Sequence, residues 1–151
     1  MILVVAEKPS VAATIATVLG ATQKGVHYIY NDKYIVSWCL GHLVALDDPD
    51  MYDKKYAEWK FENLPIIPNK WSFTINKTTK SQFYVLKNLF LKNDVTEIVC
   101  ATDAGREGEC IFRYVYNMVG CKKPVKRLWT SSLESSAIKK AFAELKDDAE
   151  Y

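Results

Sequence analysis

The chain has 151 residues, of which 25% are charged, 49% are hydrophobic and 13% are aromatic, a composition that excludes disordered and collagen-like proteins. Its net charge is +2, and no run of about 18 apolar residues occurs, so we expect no transmembrane helix and no membrane partner. The length favours one domain with a hydrophobic core of its own.

The opening residues predict a strand, a tight loop and a helix. Ile2–Ala6 is a short apolar run rich in branched side chains, which is typical of a strand buried on both faces. Apolar residues then recur at helical spacing over residues 11–19. Gly20 follows at the position where helices favour a left-handed residue.

The next part of the chain predicts a β-hairpin and a long loop. Residues 26–30 and 34–40 are aromatic and branched, with a polar turn between them. Residues 47–70 contain three prolines and several aromatic residues, and long loops of this kind are usually functional. With a short strand at 71–75, these segments form an expected insertion at about 26–75.

Strands and helices alternate in the second half. The spacing predicts strands at 97–101 and 125–129, and helices at 79–92, 106–119 and 135–145. Such alternation predicts an α/β fold with a Rossmann-like parallel sheet of about four strands flanked by helices.

Carboxylates follow two of the predicted parallel strands. Glu7 comes directly after the first strand, and Asp103 comes after the strand at 97–101. Ligands bind beyond the carboxyl ends of such strands, so these two side chains are expected to converge. Glu107, in the first turn of the next helix, is expected on its inward face with Cys110, whereas Glu109 is rotated away.

A cluster of carboxylates predicts a Mg²⁺ site. Carboxylates in one cleft repel one another unless a cation neutralises them, and oxygen-only ligands suit Mg²⁺. For Glu107 and Glu109 a simpler explanation is open, because acids are favoured in the first helical turn. That explanation does not account for Glu7 or Asp103, or for Lys8 and Arg106 beside them.

Charge is unevenly distributed along the chain. Residues 93–112 carry one basic and five acidic residues, whereas residues 51–92 carry eight lysines and three acids. Residues 113–140 carry seven basic residues and one acid. Solvated lysines on helix faces would explain this pattern, but so would basic surfaces that hold a DNA backbone on either side of an acidic site.

The order of motifs resembles a known family. The segments EKPSVA (7–12), GHL (41–43), ATDAGREGE (101–109) and KRLWTSSL (126–133) are similar to the TOPRIM domain of bacterial type IA DNA topoisomerases, most closely the topoisomerase III group. The resemblance covers essentially all 151 residues. It implies a TOPRIM fold and the DNA topoisomerase reaction for the full-length enzyme.

The resemblance also implies roles for individual residues. Glu7 would assist proton transfer and help hold Mg²⁺, Lys8 would stabilise the scissile phosphate, and Asp103 would be a metal ligand. The second acid of the family's D-x-D pair falls on Gly105, which removes one carboxylate that Glu107 would replace. Arg106 matches an arginine beside the metal.

Two further positions are implied as contacts for single-stranded DNA. Trp59 matches an indole near the DNA, and His42 belongs to the Gly-His motif, although it could equally be a structural residue that ends a hairpin. In the family, a tyrosine attacks the phosphodiester, a 5′-phosphotyrosine link forms, another strand passes and the break is resealed.

None of the nine tyrosines matches the family's nucleophile. We therefore expect the chain to be the N-terminal TOPRIM domain of a larger enzyme and to be inactive alone. Its expected partners are the remaining domains of its own polypeptide and single-stranded DNA. We expect it to be monomeric and cytoplasmic. Cys39 and Cys100 lie inside apolar runs and are predicted to be buried free thiols, as in a reducing compartment.

Other functions remain open at this point. A TOPRIM primase or nuclease shares the glutamate and D-x-D pattern, but lacks the GHL motif combined with the Trp59 loop. A non-catalytic TOPRIM DNA-binding module would bind single strands without cleavage. A phosphoacceptor receiver domain is disfavoured, because it needs an acid pair where Glu7 and Lys8 stand.

Overall fold

A computed structural model describes residues 1–151, and its strands and helices alternate as the sequence predicts. The nine strands are β1 (Ile2–Ala6), β2 (Gln23–Gly25), β3 (Tyr28–Tyr30), β4 (Tyr34–Trp38), β5 (Val44–Leu46), β6 (Phe73–Ile75), β7 (Glu97–Ala101), β8 (Val125–Arg127) and β9 (Lys146–Asp147). The five helices are α1 (Pro9–Leu19), α2 (Pro49–Tyr52), α3 (Lys80–Phe90), α4 (Arg106–Met118) and α5 (Ser135–Ala143).

Seven strands form the main sheet, in the order β2-β3-β4-β1-β7-β8-β9. The four central strands β4, β1, β7 and β8 are parallel, which confirms the predicted parallel sheet of about four strands. Strands β2, β3 and β9 extend this sheet in antiparallel pairing. The predicted hairpin is therefore part of the main sheet, because β4 pairs directly with β1.

Two hydrophobic cores lie on opposite faces of the sheet. Alternate residues of β1 enter each core: Leu3 and Val5 face α3 and α4, whereas Val4 and Ala6 face α1 and α5. This double burial explains why β1 reads as a continuous apolar run rather than an alternating one. Burying one such large apolar side chain contributes about 1.5–3 kcal/mol.

Three buried cysteines belong to the core that faces α3 and α4. Cys39, Cys100 and Cys121 are buried free thiols, and burial raises the pKa of the Cys39 and Cys100 thiols. The predicted burial of Cys39 and Cys100 is confirmed. These thiols pack as small apolar groups.

The expected end of the first helix is confirmed. Gly20 follows α1 with φ of +71°, and its backbone N–H donates to the carbonyl oxygen of Thr17. A residue with a Cβ is strained at this left-handed φ, which explains the glycine.

The segment between β5 and β6 is mostly irregular. It contains only α2 and two three-residue turns at Lys54–Tyr56 and Phe61–Asn63. Strands β5 and β6 pair with each other and close its base. The hydroxyl groups of Ser72 and Thr74 donate hydrogen bonds to Asp47 there.

The helices are short. None of them has the length and apolar character that crossing a membrane requires.

Candidate functional site

Glu7 and Asp103 come together at the carboxyl ends of two neighbouring strands. Strands β1 and β7 pair in parallel, with Ala6 opposite Ala101, so the residues that follow them emerge side by side. The backbone N–H of Asp103 donates a 3.4 Å hydrogen bond to Glu7 Oε1. Glu7 is half-buried and Asp103 is exposed, so the pair lies where the two strand ends meet solvent.

The environment of Glu7 favours its protonated form. Partial burial is the largest cause that raises the pKa of Glu7 above its usual value of 4.5, followed by the hydrogen bond and the negative charge of the Asp103 side chain. The hydrogen bond from the Asp103 backbone N–H lowers this pKa, and the Lys8 ammonium lowers it to a smaller extent. A nearby cation would stabilise the two adjacent carboxylates, because it would offset the repulsion between their negative charges.

Glu107 is held by a different partner. Its Oε1 lies 2.5 Å from Nε2 of His42, which follows β4 in the Gly-His motif. Glu107 lies in the first turn of α4 and is 77% exposed, so it does not lie on the inward face as the sequence predicted. Glu107 lies near the exposed residues Asp103 and Arg106, and its side chain is directed to His42 and solvent instead of the core.

The donor set fits a divalent cation only in part. No group of three or more His, Cys, Asp or Glu side chains is arranged to hold a metal ion. The two oxygen donors Glu7 and Asp103 do lie together, and Mg²⁺ is commonly held by one or two carboxylates, with water and phosphate oxygens completing its shell. These two residues therefore fit a site that is completed by a phosphate.

The predicted cationic residues lie at the two helix ends next to this pair. Lys8 precedes α1 as its exposed cap residue, and Arg106 is the exposed first residue of α4. The amino-terminal ends of both helices follow directly after β1 and β7. Backbone N–H groups at helix starts and nearby cations favour a bound phosphate.

Two glycines at the start of α4 have opposite surroundings. Gly105 is in open space, so a side chain there would meet nothing. A Cβ on Gly108 would overlap the carbonyl oxygen of Asp103. Gly108 therefore allows α4 to pack directly against the Asp103 backbone. Thr102 Oγ1 also donates a 2.7 Å hydrogen bond to the carbonyl oxygen of Gly108.

A buried arginine that the sequence did not single out holds the same loop. Arg127, at the end of β8, is fully buried, and its Nη1 donates to the carbonyl oxygens of Cys100 and Thr102 at 3.0 and 2.8 Å. Its Nη2 donates to the carbonyl oxygen of Asp103 at 2.8 Å. Arg127 thus binds the backbone that carries the metal-ligand candidate.

The charge of Arg127 is balanced by Glu109. Arg127 Nε lies 3.0 Å from Glu109 Oε2, as an ion pair without hydrogen-bond alignment. Arg113, one turn further along α4, contacts both Glu109 and Asp148. Glu109 accordingly points away from Glu7. In the sequence, the only indication of these ion pairs is that the acidic stretch 93–112 precedes the basic stretch 113–140.

Trp59 is separate from this group of residues. It lies in the loop between β5 and β6, is 78% exposed and takes part in no aromatic contact within the chain. The structure therefore places Glu7, Lys8, Asp103 and Arg106 after the carboxyl ends of the paired strands β1 and β7. His42 contacts Glu107 in the first turn of α4, and Trp59 lies apart on the loop surface.

Comparisons with known proteins agree with this architecture. A family model described as Toprim domain matches residues 2–133. The chain is 51% identical over 148 residues to the protein named DNA topoisomerase 3 of Bacillus anthracis, and 49% identical over 148 residues to that of Shouchella clausii. Each match covers 98% of this chain and 20% of the relative, so the chain spans about a fifth of their length.

A solved structure has a similar fold. Full-length topoisomerase I from Thermotoga maritima matches with a TM-score of 0.57 at 22% identity, over 96% of this chain and 21% of that chain. At this identity the likeness concerns the fold alone.

Proposed function

The chain belongs to the Toprim domain family, and we propose that it supplies the metal-binding and phosphate-binding part of a type IA DNA topoisomerase similar to topoisomerase III. The proposal is supported by the meeting of Glu7 with Asp103 at the ends of β1 and β7, where the Asp103 backbone nitrogen lies 3.4 Å from Glu7 Oε1. Lys8 and Arg106 flank this carboxylate pair, which is the combination that a metal-bridged phosphate requires.

The nucleophile would lie outside these 151 residues. No tyrosine hydroxyl is hydrogen-bonded to Glu7, Lys8, Asp103 or Arg106; those of Tyr52 and Tyr116 bond to other backbone groups. Because the chain spans about a fifth of its relatives, we propose that it is the TOPRIM domain of a longer polypeptide whose other domains provide the tyrosine. The chain alone would then bind the substrate without cutting it.

The residues of the site would divide the chemistry between charge and proton transfer. Lys8 and Arg106 would contact the scissile phosphate and stabilise the charge that develops on it. The raised pKa of Glu7 would let this residue carry a proton to the departing 3′ oxygen of the DNA. Glu7 and Asp103 would hold Mg²⁺, with Glu107 as a third donor once it leaves His42.

When bound, Mg²⁺ would neutralise negative charge on the phosphate and on the leaving oxygen. Since the bond energy is conserved in the phosphotyrosine link, no nucleotide is needed as an energy source. Single-stranded DNA is the proposed substrate, with His42 and Trp59 as further contacts. An exposed indole such as that of Trp59 can stack on an unpaired base. The proposed enzyme would be a cytoplasmic monomer.

The proposal is tested by calorimetric titration of the chain with Mg²⁺. We expect weak binding that Asp103→Asn reduces by at least about tenfold, because one of two carboxylate donors is lost. Asp32→Asn is the matched control. Asp32 is an exposed acid in the turn before β4, at the opposite end of the strands from Asp103. Equal isotherms for the wild-type chain and Asp103→Asn would contradict the metal assignment.

The same preparation distinguishes the topoisomerase from a nuclease. The chain with Mg²⁺ is expected to leave both supercoiled and single-stranded DNA intact. Metal-dependent nicking without a covalent protein–DNA adduct would instead support a TOPRIM nuclease and overturn the proposal.

A further inference from the structure

A continuous part of the chain around α3 carries only positive charge. Residues 76–92 contain four lysines and no acidic residue. This segment is not adjacent in sequence to any residue of the proposed catalytic site. Its lysines therefore form a group of basic residues apart from those of the proposed site.

The outward face of α3 arranges these charges around an aromatic ring. Gln82, Phe83 and Leu86 are buried, which turns Lys80, Tyr84 and Lys87 toward solvent. The Nζ atoms of Lys80 and Lys87 lie 5.8 and 5.9 Å from the centre of the Tyr84 ring. Tyr84 is 42% exposed, so its ring remains accessible between the two ammonium groups.

The lysines of this face have no acidic partners. Lys77, Lys80 and Lys87 take part in none of the ion pairs of the chain. Lys92 differs from them, because its ammonium pairs with Asp94. We call Lys77, Lys80, Tyr84 and Lys87 the α3 stripe. Its three charges are fully available to an external anion.

The α3 stripe begins beside the proposed catalytic site. The backbone N–H of Asn76 donates a 2.8 Å hydrogen bond to the carbonyl oxygen of Leu43, the residue after His42. Gln82 Nε2 donates to the carbonyl oxygen of Trp38 at 2.7 Å, which fixes the first turn of α3 at the carboxyl end of β4. Glu7 lies at the same end of the sheet, because it follows the parallel strand β1.

We propose that the α3 stripe is a second contact surface for single-stranded DNA, along which the strand continues after it leaves the Glu7 and Asp103 site. The inference rests on the proposed function, since it takes DNA as the ligand of that site. Lys80 and Lys87 are separated by about 10 Å along the helix axis, which spans more than one nucleotide. The lysines would contact phosphates, and the Tyr84 ring would stack on a base.

Charge complementarity favours a polyanion on this surface, and the Tyr84 ring favours DNA over an acidic protein segment. An exposed ring flanked by cations matches a repeating ligand that alternates charged phosphates with flat bases. An acidic peptide offers charge but no regular planar group for Tyr84. The two ligands are therefore distinguished by how much the ring contributes to binding.

The experiment measures binding of a fluorescent single-stranded oligonucleotide to the 151-residue chain over a range of salt concentrations. The triple variant Lys77→Gln, Lys80→Gln, Lys87→Gln is compared with a control of equal charge change, Lys24→Gln, Lys33→Gln, Lys139→Gln, whose lysines are exposed and lie elsewhere. We expect the stripe variant to lose about 2 from the slope of log K against log salt, at about 0.7 for each phosphate contact. Tyr84→Ala is expected to weaken binding about fivefold or more, and Tyr84→Leu to restore little of it.

Each other outcome overturns part of the interpretation. Equal slopes for the stripe and control variants would overturn the stripe while leaving the proposed function intact. A chain that binds Mg²⁺ through Asp103 but no oligonucleotide would overturn the stripe and the proposed binding of DNA by the chain alone, while leaving the metal site intact. A chain that binds neither would overturn the metal site as well. If a polyglutamate peptide competes as well as the oligonucleotide and Tyr84→Ala has no effect, the surface is one for acidic protein segments instead.

Discussion

The guanidinium group of Arg127 donates a 2.8 Å hydrogen bond from Nη2 to the backbone carbonyl oxygen of Asp103. The two residues are 24 positions apart in the chain and lie on neighbouring strand ends. Through this bond a fully buried cation fixes the backbone of an exposed carboxylate. The position of the Asp103 side chain is thus determined from inside the protein, by a residue that would not touch the substrate.

Replacing Arg127 with Met is expected to destabilise the chain by about 3–5 kcal/mol. The substitution removes the donors to four carbonyl oxygens and leaves Glu109 without its buried partner. The neighbouring Lys126→Met is the control, because its ion pair with Glu97 is partly exposed and contributes at most about 1 kcal/mol. Chemical denaturation measures both, and equal losses for the two variants would contradict the role assigned to Arg127.

Adding a methyl group to Gly108 is expected to disturb the Asp103 loop. A Cβ there overlaps the carbonyl oxygen of Asp103, so Gly108→Ala should cost about 1–3 kcal/mol in the free energy of unfolding and weaken Mg²⁺ binding. Gly105→Ala, three residues away in open space, should change stability by no more than about 0.5 kcal/mol. Denaturation and metal titration of the pair check this, and a neutral Gly108→Ala would show that the loop shifts freely.

Introducing an acid at Gly105 is expected to strengthen the metal site. Gly105→Asp restores the second carboxylate of the D-x-D pattern, and the position has room for it. A third donor next to Glu7 and Asp103 should raise Mg²⁺ affinity about tenfold, or 1.4 kcal/mol, whereas Gly105→Asn should raise it less. Calorimetry measures the Mg²⁺ affinity of the two variants. Equal affinities would mean that a negative charge at this position does not contribute to binding of the cation.

The stability of the chain should depend on the ionisation of Glu7. The folded chain raises the pKa of Glu7 above its usual 4.5, so folding favours the protonated form. The stabilisation from protonated Glu7 is complete below the unfolded pKa and is lost as pH rises through the folded pKa. Glu7→Gln, which stays neutral, should therefore raise Tm at pH 7 in metal-free buffer. The gain should disappear below about pH 4; a gain of equal size at both pH values would argue against this explanation.

The central strands were predictable because burial on two faces leaves a clear sequence signal. Strands β1 and β7 are continuous apolar runs, and each is followed by a helix whose apolar residues recur at helical spacing. Strands β2 and β9 were missed, since they are two or three residues long, largely polar and paired only at the sheet edges. Their pairing depends on the tertiary structure around them rather than on their own composition.

The site was predictable to the extent that strand ends determine it. Glu7 and Asp103 follow adjacent parallel strands, so their meeting follows from topology. The predicted inward position of Glu107 was wrong, because helical spacing does not reveal that this side chain pairs with His42 instead of facing the core. The burial of Arg127 was not predictable, because its carbonyl partners belong to a distant segment and carry no side-chain signature.

The residue-by-residue register of β1 and β7, from Ile2 opposite Glu97 to Ala6 opposite Ala101, makes the site sensitive to chain length. Deleting one residue within β1 would turn the side chains that follow it to the other face of the sheet and exchange the residues that enter the two cores. Glu7 would then no longer emerge beside Asp103. Variation by insertion and deletion is therefore expected in the loop between β5 and β6, whereas these two strands can change only by substitution.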